Sequence, residues 1–171
     1  MNEGVIKTIK SSDFGLENST TELKEVKGAR GIIINRSDNI ALLKKDTEYK
    51  LPGLTVDENV KDISDRFVKN AFKELDADIE VVKDLGVLIE ENGVDGIRVT
   101  NNVFICSVIS NSKLNRVEND GYEVIWVSPE EALQLLSSYK NGVMATDDVG
   151  DKFCSTRDEF ILRYYLINFK Y

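Results

Sequence analysis

The 171-residue chain contains no histidine. This absence excludes a histidine general base, a Ser-His-Asp triad and an HExxH zinc site. The two cysteines, Cys106 and Cys154, are too few for a cysteine-based zinc site or for a disulfide framework. Cys106 lies in an apolar run, which is typical of a buried, small hydrophobic residue. The chain is also poor in proline and moderate in glycine, which argues against a long linker.

Positive charge is scarce as well. The chain has 22 Lys and Arg residues against 30 Asp and Glu residues, a formal net charge of −8. Such a surface repels polynucleotides. No apolar run approaches the roughly 18 residues that cross a bilayer, and the first residues do not resemble a signal peptide. We therefore expect a cytoplasmic protein with neither a polynucleotide nor a membrane as partner, and the lack of a disulfide framework agrees with a reducing compartment.

The length predicts one domain. Polar residues 1–28 predict an N-terminal arm, or a short strand near Val5–Ile9 followed by a loop, and residues 29–171 predict the folded domain. The expected elements of that domain are a strand over 29–36, its return strand over 40–44, a helix over 58–76, strands over 79–82, 85–89, 97–109 and 123–127, and helices from 129 and over 156–169. Because strands and helices do not alternate strictly, a mixed sheet between helices is favoured over a doubly wound sheet.

The helix expected over 58–76 has two contrasting faces. Apolar residues recur at spacings of three and four, at Val60, Ile63, Phe67, Ala71 and Leu75. We predict that Phe67 and Ala71 point into the core, whereas Lys69 and Lys73 point toward a cleft or solvent. Asp57 is the expected N-cap.

The C-terminal helices are expected to differ in their caps. Ser128 followed by Pro129 is a favourable start for the first of them, and Thr156 is the expected cap of the second. The aromatic segment 160–165 is predicted to pack on the sheet. If Phe160 is a core residue, its truncation to alanine would cost about 3–5 kcal/mol.

The order of elements resembles the Nudix fold, and short segments between residues 26 and 168 carry the resemblance. They are Ala29-Arg30-Gly31-Ile32 with Asn39-Ile40-Ala41-Leu42-Leu43, Leu51-Pro52-Gly53, Asp78-Ile79-Glu80 through Leu85-Gly86-Val87, Trp126-Val127-Ser128-Pro129-Glu130-Glu131-Ala132, and Arg157-Asp158. The resemblance implies an α+β fold, a Nudix-like α/β/α sandwich of bacterial type with a mixed, curved sheet between helices. Members of that family hydrolyse a nucleoside diphosphate linked to another group.

The family's sequence box places glutamates one turn apart on a helix. There they gather divalent cations that bind the diphosphate and activate water. Anchored on Asp78-Ile79-Glu80, the box's Arg-Glu pair, its final Glu pair and its closing Gly fall on Lys69-Asn70, Lys73-Glu74 and Asp76. The upstream Glu falls on Lys61 or, counted from Pro52, on Val60, and the box Gly falls on Leu54 or Thr55. Glu74 is thus the one carboxylate of four that remains.

This departure predicts that Mg²⁺-dependent hydrolysis is lost or strongly impaired, since two lysines at box positions repel a divalent cation. We expect no metal site and no cofactor, with Glu74 as the only candidate catalytic residue. The resemblance offers five candidate ligand-binding residues, Arg30, Gly53, Lys69, Asn70 and Lys73. The expected ligand is a nucleotide-like small molecule, and a protein partner is the other option.

Two alternatives remain open. The first is an active diphosphohydrolase that uses Mg²⁺ or Mn²⁺ on relocated acids. Its candidates are Asp57, Glu58, Asp62, Asp65, Glu90 and Glu91. For the four acids near the helix start, the sequence favours capping or a solvated helix face. For Glu90 and Glu91 it favours a solvated strand end. The second alternative is an interaction module whose cleft is filled. The oligomeric state is also open, with a homodimer among the options.

Overall fold

The fold is described from a computed structural model that covers residues 4–56, 59–111 and 117–169. The strands are β1 (Val5–Lys10), β2 (Lys24–Ile34), β3 (Ile40–Lys45), β4 (Glu48–Lys50), β5 (Gly53–Val56), β6 (Ala77–Asn92), β7 (Ile97–Asn111) and β8 (Glu123–Val127). The helices are α1 (Ile63–Leu75), α2 (Pro129–Met144) and α3 (Val149–Asn168), and a short 3₁₀ turn spans Ser11–Phe14.

All of these strands form one mixed sheet. Its order is β1-β6-β7-β2-β3-β4, with β5 paired to β2 and β8 paired to β3. The β1–β6 and β2–β7 pairs are parallel, and the other pairs are antiparallel. The mixed sheet predicted from the order of elements is confirmed.

Helices cover both faces of the sheet. Successive side chains along each strand point to opposite faces, so one strand contributes to the core on both sides. On β2, Ile32 belongs to the core cluster formed with α2 and α3, whereas Ala29 and Ile33 belong to the cluster formed with α1. The three layers are therefore α1, the sheet, and the α2–α3 pair. This is the predicted α/β/α sandwich.

Helix α1 begins later than its hydrophobic pattern predicts. Asp62 is the N-cap, because its carboxylate accepts the backbone N–H groups of Ser64 and Asp65. Val60 and Lys61 therefore precede the helix, which corrects the predicted start. The expected cap, Asp57, and its neighbour Glu58 lie outside the described residues.

The two predicted faces of α1 are confirmed. Phe67 and Ala71 are fully buried against the sheet, whereas Lys69 and Lys73 are exposed. Gly31 on β2 makes room for the Phe67 ring, since a Cβ at that position would lie 2.5 Å from the ring carbon Cζ.

Other boundaries also differ from the predictions. Strand β2 begins at Lys24 and β1 pairs with β6, so the expected N-terminal arm contributes two stretches of sheet. The strands expected over 79–82 and 85–89 are one strand, β6, with irregular register near Val81 and Asp84. Helix α2 starts as predicted, with the Ser128 hydroxyl accepting the Glu131 N–H.

The last helix is longer than expected. Asp148 caps α3 by accepting the Asp151 N–H, so Thr156 lies inside the helix rather than at its cap. The aromatic segment packs on the sheet through Ile161, Leu162 and Tyr165, whereas Phe160 is only half-buried. We therefore expect Phe160→Ala to cost less than a full core truncation. None of the described helices has the length and apolar composition that crossing a bilayer requires.

Candidate functional site

The site begins at Gly53, where the chain turns into β5. A Cβ at this position would collide with the Ala29 carbonyl oxygen and the Arg30 guanidinium, so only glycine fits between β2 and the loop. The Gly53 carbonyl oxygen points to α1 and accepts the side-chain amide of Asn70 at 3.3 Å. Three of the predicted ligand-binding residues, Arg30, Gly53 and Asn70, are therefore neighbours.

Asn70 also contacts Glu74, one turn along α1. The distance from Asn70 Nδ2 to Glu74 Oε1 is 3.5 Å, so the amide lies between the Gly53 carbonyl and the Glu74 carboxylate. Burial raises the pKa of the Glu74 carboxyl, and the positive charges of Lys50 and Arg30 partly counter that effect. Glu74 is thus a half-buried acid that faces an amide and two cations.

A divalent cation is the group that the family resemblance implies at this helix face, and these residues do not fit it. Mg²⁺ requires oxygen ligands in near-octahedral geometry. Glu74 and the Gly53 carbonyl supply oxygens, but the NH₂ group of Asn70 already contacts both, and an amide NH₂ donates hydrogen bonds rather than coordinating a metal. Over the described ranges, no three acidic or cysteine side chains gather in a way that could hold a metal ion.

Lys69 and Lys73 lie on the outer side of α1, where they line a groove against β5. This helix groove has a volume of about 580 Å³ and is lined by Leu54, Thr55, Val56, Arg66, Lys69, Asn70, Phe72 and Lys73. Lys69 Nζ lies 3.0 Å from Asp65 Oδ2, but both side chains are more than half exposed, so the pair is weak. The helix groove is therefore cationic, with one partly exposed aromatic ring.

The acids considered for a relocated site have other roles in the fold. Asp62 caps α1, and the hydrogen bond from the Ser64 hydroxyl lowers the pKa of its carboxyl. Asp65 pairs with Lys69, and Glu91 lies 3.7 Å from the Arg98 guanidinium. Glu90 is buried, so its predicted place at a solvated strand end was wrong.

Glu90 belongs to a buried polar network that the sequence did not reveal. Its carboxylate accepts the Asn101 side-chain amide at 2.8 Å and lies 3.4 Å from Arg157 Nη1. Arg157 Nε donates to Asp158 at 2.8 Å, and the other oxygen of Asp158 accepts the Leu51 N–H at 3.1 Å. The network therefore ties α3 and β6 to the loop that carries Gly53.

The charge state of Arg157 follows from its partners. Burial by itself lowers the pKa of this guanidinium, but Asp158, Cys154 and Glu90 together raise the pKa well above its usual value. Arg157 is thus a permanent cation held by two carboxylates. The sequence signal was the pair Arg157-Asp158, which shortly precedes the apolar residues 160–162 of α3, together with Glu90, which follows the apolar run 87–89.

Arg30 lies beside this network, on the α3 side of the loop. Its guanidinium donates to the Thr55 hydroxyl at 3.1 Å and to the Ala29 carbonyl at 3.3 Å, while its Nε is buried without a partner. Burial and the nearby charge of Arg157 lower the pKa of Arg30 to about 10. Arg30, Lys50 and Gly53 line a cavity of only about 120 Å³.

The small cavity opens toward a larger outer cleft of about 970 Å³ between the β3–β4 turn and α2. The two spaces share Glu48, Tyr49, Tyr139 and Asp151. Burial, together with the charges of Asp148 and Glu48, raises the pKa of the Asp151 carboxyl. The outer cleft is therefore acidic and aromatic, in contrast to the cationic helix groove.

No protein-family model matches the chain, and no curated protein matches its sequence. Solved structures do match. A Nudix hydrolase from Nitrosomonas europaea superposes with a TM-score of 0.53 at 17% identity, over 70% of this chain and 90% of that one. A MutT protein from Methanosarcina mazei gives 0.52 at 20% identity, over 67% and 85%. The ORF135 protein of E. coli gives 0.50 at 20% identity, over 74% and 96%. The fold is therefore that of Nudix hydrolases, as the sequence predicted.

Proposed function

We propose that this protein is a Nudix-fold binding protein that has lost efficient Mg²⁺-dependent hydrolysis and holds a nucleotide-like small molecule. The observation that carries the proposal is the position of Asn70. Its amide bridges the Gly53 carbonyl and the Glu74 carboxylate, the two oxygens that a cation at this helix face would need. A neutral hydrogen-bond donor lies where the resemblance implies an acid.

The surrounding charges support the same conclusion. Lys73 precedes Glu74 on α1, and the charge of Lys50 acts on the Glu74 carboxylate. A divalent cation here would meet the positive charges of Lys50 and Arg30, with Glu74 and the more weakly acting Asp120 to offset them. Repulsion between such charges is of order kcal/mol even near a protein surface. In the family's chemistry the bound cation lowers the pKa of the attacking water, so weak cation binding would impair hydrolysis.

Ligand binding is supported by the helix groove and by the loop beside the α1 face that carries Asn70 and Glu74. The helix groove is within the size range of about 300–1,000 Å³ that is typical of ligand pockets, and it offers cations beside an aromatic ring. The loop that borders it is held by the buried network on its other side. A preformed groove beside a supported loop is the arrangement that a binding protein requires.

The test is a hydrolysis assay on a panel of nucleoside diphosphates linked to other groups, with Mg²⁺ or Mn²⁺ at millimolar concentration. Phosphate released after phosphatase coupling is measured for the unmodified protein and for Glu74→Gln. We expect both proteins to release phosphate at the same background rate. Metal-dependent turnover by the unmodified protein that disappears in Glu74→Gln would establish the active-hydrolase alternative instead.

Binding is tested separately by thermal shift with nucleotides in the absence of metal. A ligand at 100 times its Kd stabilises the folded state by about 2.7 kcal/mol, which is a measurable rise in Tm. We expect at least one nucleotide to raise the Tm. If no nucleotide does so, the filled-cleft interaction module replaces the binding protein.

A further inference from the structure

We propose that two copies of this chain form a symmetric dimer through β8, with the two β8 strands paired antiparallel across a two-fold axis. The partner at this edge of the sheet is a second copy of the chain. Edge strands pair in this way because each supplies the backbone N–H and C=O groups that the other lacks. The dimer does not depend on which ligand the protein binds.

Strand β8 lies at the margin of the sheet. It pairs with β3 from Val127 opposite Ile40 to Glu123 opposite Lys44, whereas β2 and β4 pair along the other edge of β3. Within residues 4–56, 59–111 and 117–169, no strand pairs with the outer edge of β8. A second strand can therefore hydrogen-bond along that edge and extend the sheet.

The residues of β8 leave both sides of the core incompletely covered. The last four, Val124-Ile125-Trp126-Val127, are apolar, and each is only partly buried. Val124 and Trp126 pack against the core cluster of α1, whereas Ile125 and Val127 pack against the cluster of α2 and α3. A second β8 would remove apolar surface from water on both faces of the sheet, which favours association.

Strand β1, at the opposite margin of the sheet, is protected against such pairing. Its six residues include Lys7 and Lys10, and both are exposed. Lysines on an edge strand oppose pairing with a second copy, because the ammonium groups of the two strands would come close together. Strand β8 contains no lysine, arginine or proline, so its edge lacks this protection.

A two-fold axis at Ile125 gives a favourable register. Ile125 then lies opposite Ile125 of the second copy, and Val124 lies opposite Trp126, twice by symmetry. Aromatic and β-branched residues that face each other across strands stabilise a sheet. The two Glu123 carboxylates fall at opposite ends of the paired strands, with backbones about 14 Å apart at 3.4 Å per residue. Salt screens most of their repulsion at that distance.

The charges at the ends of β8 favour the same register. Val127 pairs with Ile40, which follows the β2–β3 turn that carries the exposed Arg36. Arg36 also lines a groove together with Trp126, so its side chain lies near this end of β8. The exposed Glu123 of one copy lies opposite Val127 of the other copy, and it therefore approaches Arg36 of that copy. Symmetry produces this complementary pair twice.

The first experiment is sedimentation velocity on the unmodified protein over a range of concentrations. Five paired residues on each side cover less than the roughly 1,200–2,000 Å² of a standard interface, so we expect a Kd in the micromolar range. The protein should sediment as a monomer at about 1 µM and largely as a dimer at about 500 µM, concentrations that bracket such a Kd.

Charge reversal tests the register without altering the core. Glu123→Arg and Arg36→Glu are exposed changes that place like charges together in the dimer, and each should weaken dimerisation at least about 5-fold. Glu123→Arg/Arg36→Glu restores opposite charges and should return the Kd to within about 2-fold of the unmodified value. The control is Glu22→Arg, an exposed change in the loop before β2, which should leave the Kd unchanged.

Cross-linking tests the position of the axis. Residues opposite each other in an antiparallel pair have Cα atoms about 4.5–5.5 Å apart, which suits a disulfide. Ile125→Cys should therefore give a disulfide-linked dimer with diamide as oxidant. Val5→Cys is the control, because Val5 is 57% exposed on β1 at the other margin of the sheet. It should stay monomeric, and both variants retain Cys106 and Cys154, so only the added thiol differs.

Three results would overturn the proposal. A protein that remains a monomer at the highest concentration has no such interface. A dimer whose Kd neither single charge reversal changes, or whose Kd the double reversal does not restore, is not paired in this register. Cross-linking of Val5→Cys at the rate of Ile125→Cys would show that contact is not confined to β8. None of these results depends on hydrolysis or on nucleotide binding.

Discussion

Two groups of charged side chains lie on opposite sides of the loop that carries Gly53. On the α3 side, Arg157, Asp158 and Glu90 are buried and paired with one another. On the α1 side, Lys69 and Lys73 are exposed, and the ion pair of Lys69 with Asp65 is open to solvent. Burial makes the first group part of the fold, since a buried charge is tolerated only with partners. Exposure leaves the second group able to meet a ligand.

The largest expected effect is in the buried group. Arg157→Met removes the cation between two buried carboxylates, and breaking a buried pair from one side costs about 3–5 kcal/mol. Urea unfolding measures the loss. Arg163→Met is the control on the same helix, because Arg163 is half exposed and its partner Glu159 keeps its ion pair with Lys140. If the two variants lose equal stability, the network does not support the loop.

Two adjacent glutamates give the next comparison. Glu90→Gln keeps the side-chain volume but removes the charge opposite Arg157, and we expect it to cost about 1–3 kcal/mol. Glu91→Gln removes a charge from a partly exposed pair with Arg98, and should cost less than about 1 kcal/mol. Both values come from the same unfolding experiment. If Glu91→Gln cost more stability than Glu90→Gln, the assignment of Glu90 as the buried residue of the two would be contradicted.

A smaller, pH-dependent effect is expected at Glu74. Because its carboxyl pKa is raised by burial, the folded state favours the protonated form, and stability is lost as the pH rises through that pKa. Glu74→Gln should therefore unfold at a higher temperature than the unmodified protein at pH 7–8. The difference should vanish in acid, where Glu74 is protonated. A Tm difference that is independent of pH would show that packing, not charge, sets the effect.

The smallest effect on stability is expected at the exposed lysines. Lys69→Gln and Lys73→Gln should each change the free energy of unfolding by less than about 0.5 kcal/mol, as surface substitutions usually do. Losses above 1 kcal/mol would mean that these lysines hold α1 to the fold, and would weaken the contrast with the buried network.

The faces of α1 and the order of elements could be predicted from the sequence because periodicity reports burial directly. The stripe through Phe67 and Ala71 and the buried Cys106 are confirmed for this reason. The start of α2 at Pro129 is confirmed because Ser128 and Pro129 form a local cap signal. Helix starts were predicted less well. The real caps, Asp62 and Asp148, compete with other acids and hydroxyl residues nearby, and only the folded backbone shows which one accepts the N–H groups.

The buried network could not be predicted because its members are far apart in the chain. Glu90 and Arg157 are 67 residues apart, and no local pattern joins them. The contact between Asn70 and Gly53 is of the same kind, since it depends on how β5 folds back over α1. The resemblance identified both residues as candidates, but only the fold shows that the amide lies between two oxygens.

The most direct test of the central claim is a Mg²⁺ titration followed by thermal unfolding. We predict that millimolar Mg²⁺ leaves the Tm of the unmodified protein unchanged. In Asn70→Glu/Lys73→Glu it should raise the Tm, because positions 70, 73 and 74 would then present three carboxylates on one helix face. A clear Mg²⁺-dependent rise in the unmodified protein, abolished by Glu74→Gln, would contradict the claim that this face no longer serves a metal.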